Sequence, residues 1–331
     1  MTKLSRLMLA AVAVCGTSAV MAQSSVTIYG RVNTTIEHQK TGKDSVTGMF
    51  NNSSRIGFKG VEDLGNGLKA GFQLEAGFGS DDGSGPLTFG RQSEVNLSGD
   101  FGMVRLGNFF PESYYATSDY IGMHNHETGS SADAFYTDPV WMGRGKAAQY
   151  GLGTGNKLAY RTPTFNNFWA EASVSFHEKA NAAPAGNKTG YDLAANYNNG
   201  PLALGAGYSQ IAGARQVALR GLYNFGQFVV GAYYQNNHEF TRGNRNNFRL
   251  SGMYVLNASE FHVNVGHVNK WSKVSDSAAT QWTLGYNYNL SKRTKVYTYY
   301  TKVDNKVGAS YATGVNGADF SSFALGVRHN F

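Results

Sequence analysis

Phe323-Ala324-Leu325-Gly326-Val327-Arg328-His329-Asn330-Phe331 ends the chain. Phe323, Leu325, Val327 and Phe331, with His329 in the same parity, alternate strictly with Ala324, Gly326, Arg328 and Asn330. Successive side chains of a strand point to opposite faces. A strand that is apolar on one face and small or polar on the other, closing on an aromatic carboxyl terminus, suits the wall of an outer-membrane barrel. One side meets lipid and the other a polar lumen.

Working back from this segment, the same period-two pattern recurs. Val26, Ile28, Gly30 and Val32 alternate with Thr27, Tyr29, Arg31 and Asn33, and Leu68, Ala70, Phe72 and Leu74 with Lys69, Gly71, Gln73 and Glu75. Comparable runs include Trp169–Phe176, Leu202–Ile211, Phe228–Tyr234, Phe248–Val255 and Trp282–Tyr288, each bounded by Gly, Asn, Asp or Ser clusters. About sixteen such runs fit the even strand number of single-chain bacterial barrels. The fold class expected is all-β, a transmembrane antiparallel β-barrel. A β-sandwich rarely needs so many strands in one domain, and a β-helix would show a short repeat. Short turns, such as Glu62–Gly67 and Asn198–Pro201, alternate with longer connections expected at Gln39–Asn52, Gly79–Pro86, His177–Gly190, Glu239–Asn246, Ser272–Thr280 and Asp304–Asp319. From Phe110 to Asn156 the alternation lapses, and a connection of that length inside a compact domain is usually functional.

The composition agrees. Tyrosine and phenylalanine number 20 each and suit interfacial girdles, while only 6 prolines interrupt strands that must donate ladder hydrogen bonds. Residues 1–22 read as a signal peptide, with Lys3 and Arg6 ahead of an apolar Leu7–Val14 and cleavage expected after Ala22. The barrel domain would then span 23–331. Cleavage removes the one cysteine, Cys15, and takes the formal charge from +7 to +5. That excess is too small and too scattered to imply nucleic acid. No later stretch is long and apolar enough for a membrane-spanning helix.

Several stretches resemble general porins of the betaproteobacterial, neisserial type. They are Ser24–Gly30, Ser54–Ala70, Phe89–Gln92 with Leu97–Gly102, and Gly326–Phe331. The resemblance implies a barrel of about 16 strands, usually a homotrimer, whose long third loop folds into the lumen and sets acidic residues against a basic wall. It also marks Phe331 as an assembly signal, read by the barrel-assembly machinery from the final strand. Two departures stand out: Asn108-Phe109-Phe110 replaces a basic residue often found leading into the loop, and Leu158-Ala159-Tyr160-Arg161 places alanine where arginine is frequent and arginine where an acid is frequent.

Parity places the charges. If Val26, Ile28 and Val32 face lipid, Arg31 faces the lumen, and Arg55, Lys59, Arg105 and Arg161 follow by the same argument. A charge on the lipid side would cost about 2–4 kcal/mol near the midplane. These five are the expected basic wall of the constriction, a ring that concentrates anions and repels cations. Glu112, Asp119, Glu127, Asp133 and Asp138 are candidate acids of the loop opposite. His124 and His126 would titrate near neutral pH if the loop lies in the lumen. A His-x-His pair beside Glu127 could ligate zinc, but histidines in a polar loop are more often hydrogen-bonding groups, and no metal site is assigned. Gly143-Arg144-Gly145-Lys146 lacks the rest of a phosphate-binding loop, and no nucleophile elbow occurs. The reading is a water-filled channel in the outer membrane, without cofactor, for passive diffusion of small polar or anionic solutes. A substrate-selective barrel, a surface adhesin and a barrel enzyme acting through external loops are the alternatives.

Overall fold

A computed structural model describes residues 25–118, 121, 129–140, 155–177 and 188–331. The expected signal peptide lies outside them. The strands are β1 (Ser25–Thr41), β2 (Asp44–Asn51), β3 (Arg55–Gly65), β4 (Leu68–Gly77), β5 (Gln92–Gly99), β6 (Gly102–Asn108), β7 (Lys157–Arg161), β8 (Phe168–Ser175) and β9 (Gly190–Asn199). They continue as β10 (Leu202–Ile211), β11 (Ala214–Asn224), β12 (Phe228–Glu239), β13 (Gly243–Leu256), β14 (Ser259–Val268), β15 (Ala279–Asn289), β16 (Thr294–Asn305) and β17 (Phe320–Asn330).

Apart from β2 and β3, consecutive strands pair antiparallel, and β17 pairs with β1 to close the ring. β2 and β3 pair with successive halves of β1, so they form one stave interrupted at Asn52–Ser54, and the wall has 16 staves. Closure leaves no unpaired edge, which a bilayer demands. Phe331 completes the seam: its N–H donates to Gly30 O at 3.1 Å, and Gly30 N–H donates back to Phe331 O at 3.0 Å. A Cβ on Gly30 would meet the Phe331 ring, so the glycine makes room for the terminal aromatic.

Alternation sorts the faces as expected. Val26 and Ile28 are 64% and 59% exposed on the outside, while Arg31 is 1% exposed inside. Toward one rim, outward aromatics meet across neighbouring strands: Phe228 and Tyr254 centroids lie 4.6 Å apart, and Phe261 and Tyr286 5.1 Å apart. Such rows are the interfacial girdle of a membrane barrel.

Two connections expected to be long are instead strand. Gln39–Asn52 is mostly the β1–β2 hairpin, turning at Gly42 and Lys43, and Glu239–Asn246 is the β12–β13 hairpin. Polar side chains broke the apolar alternation there because these strands rise past the apolar band, where both faces meet water.

Candidate functional site

The connection from β6 to β7 turns into the barrel. It carries a short helix, α1 (Glu112–Thr117), and a single turn at Gly129–Ser131. Two inward glycines of β10 receive α1. A Cβ on Gly205 would collide with Ala116 O, and one on Gly207 would lie 2.7 Å from Ser113 Cβ. On β12, a Cβ at Gly231 would strike Ile121. Polar contacts fix the seat. Ser113 Oγ bonds Asp138 Oδ2 at 2.9 Å, Ser209 Oγ at 2.9 Å and, in a shorter contact, Asp192 Oδ2. Tyr114, Ile121 and Tyr136 pack with Ala218 and Tyr233 of the wall.

The segment then reaches the opposite side and returns. Ile121 O accepts from Ser251 Oγ at 2.8 Å and Asn264 Nδ2 at 3.2 Å. Ser130 Oγ donates to Glu37 Oε2 of β1 at 2.6 Å. On the way back Asp133 meets Arg249 of β13 at 2.6 Å, and Arg245 donates to Phe135 O at 2.7 Å and Thr137 Oγ1 at 2.8 Å. Among the described residues these contacts run along the arc from β9 through β16 and reach β1, while at β6 the start of the loop lies against the wall, Phe109 beside Arg105.

The five predicted cations lie on β1, β3, β6 and β7, in two groups. Arg31 and Arg55 stand directly opposite each other in the β1–β3 register, with Lys59 four residues along. Arg31 Nε donates to Ser53 O at 2.9 Å, Arg55 lies 3.6 Å from Glu75, and Lys59 sits 5.4 Å from the Tyr29 ring centroid. Arg105 and Arg161 form a second group held by acids. Arg105 bridges Glu94 at 2.5 Å and Glu171 at 3.1 Å, and Arg161 bridges Glu171 and Glu112, both at 2.8 Å. Arg105 also lies over the Phe109 ring at 4.0 Å and Arg161 over Trp169 at 4.3 Å.

Sequence reasoning missed Arg249, Arg245, Lys157 and Arg91. Arg249 was within reach of the parity argument, since Phe248 and Leu250 flank it and face outward. Arg245 was hidden by the misread β12–β13 connection. Lys157 Nζ donates to Phe109 O at 2.6 Å and pins the start of the loop, while Arg91 pairs with Glu75 at 2.6 Å. Among the described residues, Lys59, Lys157 and Arg245 meet no carboxylate at ion-pair distance.

Of the predicted loop acids, Glu112 reaches the basic wall at Arg161, and Asp133 instead pairs with Arg249 on the loop-covered side. Asp138 is buried among Ser113, Ser209 and Gln216. Burial pushes the Glu112 carboxyl up to about 8 against the pull of Arg161. The geometry accommodates a proton: Oε2 accepts from Arg161 at 2.8 Å, while Oε1 has only a long contact with Asn196 at 3.3 Å. Asp119, Glu127, His124 and His126 lie outside the described residues.

A closed 16-stave barrel with a connection folded against its inner wall is the architecture of an aqueous pore. A family model described as Gram-negative porin matches residues 9–309. The chain belongs to that family. This porin is 34% identical to outer membrane porin protein 32 of Delftia acidovorans, over 99% of this chain and all of that one. It is 26% identical to an outer membrane porin protein of Bordetella pertussis, covering 95% and 96% of the two chains. Among solved structures it resembles an anion-selective porin from Comamonas acidovorans, with a TM-score of 0.76 and 29% identity over 93% of this porin and all of that chain. It is thus an outer-membrane channel protein and not an enzyme, as its sequence suggested.

Proposed function

We propose that this porin is a passive, mildly anion-preferring channel for small polar solutes, acting as a homotrimer. The observation that carries the reading is the cationic stripe of Arg31, Arg55 and Lys59 on the inward face of β1 and β3, buried at Arg31 and exposed at Lys59. The net positive charge and the likeness to a porin titled anion-selective support it. Arg31, Arg55, Lys59, Arg105 and Arg161 form the basic side of the constriction. Glu112, Asp119, Glu127 and Asp133 supply the loop's acids, and His124 and His126 add positive charge beside Glu127 as pH falls. Wall charges attract anions over about 10 Å at roughly 0.1 M salt, so the preference weakens as salt rises. Cleavage after Ala22 releases the mature chain, and the assembly machinery reads the strand ending at Phe331.

The test is the reversal potential of the purified channel in a planar bilayer across a salt gradient. Anion preference is expected, strongest at low salt; a cation preference at low salt would overturn it. Phe331→Ala should lower outer-membrane yield, and unchanged insertion at low expression would remove the assembly role.

A further inference from the structure

Above the loop, between the β12–β13 hairpin, the β14–β15 connection and the β16–β17 connection, lies a cavity of about 250 Å³. Thr137, Arg242, Arg245, Trp271, Ser277 and Tyr311 contribute to its walls. Two guanidinium groups lie over the Trp271 ring, Arg242 at 4.4 Å and Arg245 at 4.5 Å from its centroid.

The charges here do not balance. Arg242 is paired with Glu239 on its own hairpin. Arg245, only 3% exposed, is surrounded by neutral acceptors: Asn237 Oδ1 at 3.2 Å, Tyr311 OH at 2.6 Å, Phe135 O at 2.7 Å and Thr137 Oγ1 at 2.8 Å. A buried cation without a counter-charge is costly. Beside it, the buried Trp271 Nε1 has no acceptor among the described residues, although its backbone N–H is held by Ser277 Oγ at 2.8 Å. A buried donor without an acceptor is a second, independent cost.

One occupant removes both costs. We propose that this cavity binds the carboxylate of a small organic acid, forming a station in the outer vestibule before the constriction. The carboxylate balances Arg245 and accepts from the indole N–H. The ring of Tyr311 and the methyl of Ala309 take the apolar body. This deepens the anion-channel reading by naming a solute class.

The test titrates benzoate, and its uncharged isostere benzamide, into the detergent-folded porin by calorimetry at constant chloride. The proteins are the parent, Trp271→Phe, which keeps the ring and deletes the donor, and Ser310→Leu, which fills the cavity from its rim. Heat-modifiable migration first establishes that each is folded; if one is not, the other decides. Saturable benzoate binding without benzamide binding is expected in the parent. Trp271→Phe should weaken it about tenfold, the scale of a lost hydrogen bond to a charged group. Ser310→Leu should abolish it. Absence of benzoate binding in the parent, equal binding of benzamide, or unchanged affinity in the folded variants overturns the proposal. Benzoate binding in a channel that shows no anion preference would sink the selectivity reading and leave this one standing.

Discussion

Arg249 of β13 and Asp133 of the inserted loop meet at 2.6 Å with side chains 0% and 3% exposed, a contact spanning 116 residues of sequence. Asp133 Oδ1 also accepts from the backbone of Phe135 at 2.8 Å, so the pair sets the loop's return path as well as a charge balance. Removing one partner of a buried pair costs about 3–5 kcal/mol, because the other is stranded. Asp133→Ala should therefore loosen residues 133–137 and turn steady single-channel current into flickering current. The double variant Asp133→Ala/Arg249→Met should flicker less than Asp133→Ala alone. Recordings of Asp133→Ala as quiet as the parent would count against the pair as the loop's anchor.

The glycines of β10 make a sharper steric prediction. Gly205 faces backbone rather than a movable side chain, so even Ala at this position must displace α1. Gly205→Val should change single-channel conductance at least as much as any single charge change, while far-ultraviolet circular dichroism stays that of a β-barrel. Conductance equal to the parent's would show that α1 does not bound the passage.

Glu112 gives a pH dependence with a definite sign. Its carboxyl is raised in the docked state to about 8, against an ordinary 4.5. Between those values the docked loop holds a proton that the undocked loop releases. Docking is therefore favoured below about pH 4.5, weakens as pH rises, and has lost this contribution above about 8. Loop noise should rise over that interval in the parent and not in Glu112→Gln. Matching pH profiles would rule Glu112 out as the titrating group.

Neutralising single cations tests the wall's charges. Lys59 is exposed to the lumen and meets no carboxylate among the described residues, whereas Arg105 is engaged by Glu94 and Glu171. Lys59→Gln should move the reversal potential toward cations more than Arg105→Gln does, although each removes one positive charge, and the difference should shrink as salt screens the wall. Equal shifts would mean that ion pairing does not set each cation's weight.

Face assignment was legible because lipid enforces it: an outward charge is expensive, so Val26, Ile28 and Val32 were enough to aim Arg31 inward. What escaped was whatever depends on a partner distant in sequence. Nothing near Asp133 announces Arg249, and nothing in Leu204-Gly205-Ala206-Gly207 says that a helix will rest there. Arg105 and Arg161 were correctly placed inward, but their neutralisation by Glu94, Glu171 and Glu112 arises from strand register, which period-two patterning does not contain. Arg245 was lost for a different reason: strands rising beyond the apolar band no longer alternate apolar with polar.

The bond between Gly30 and Phe331 orders events in time. The first stave cannot find its second neighbour until β17 has been synthesised, so the nascent chain spends the making of every strand between them with a ring that cannot close. Throughout that interval β1 and the newest strand are unfinished edges, the kind that recruit other chains. Closing contacts between opposite chain ends carry the greatest loop-closure penalty and form slowly. The topology that leaves the finished wall without an edge therefore makes the unfinished chain dependent on being kept apart from its own copies until β17 reaches β1.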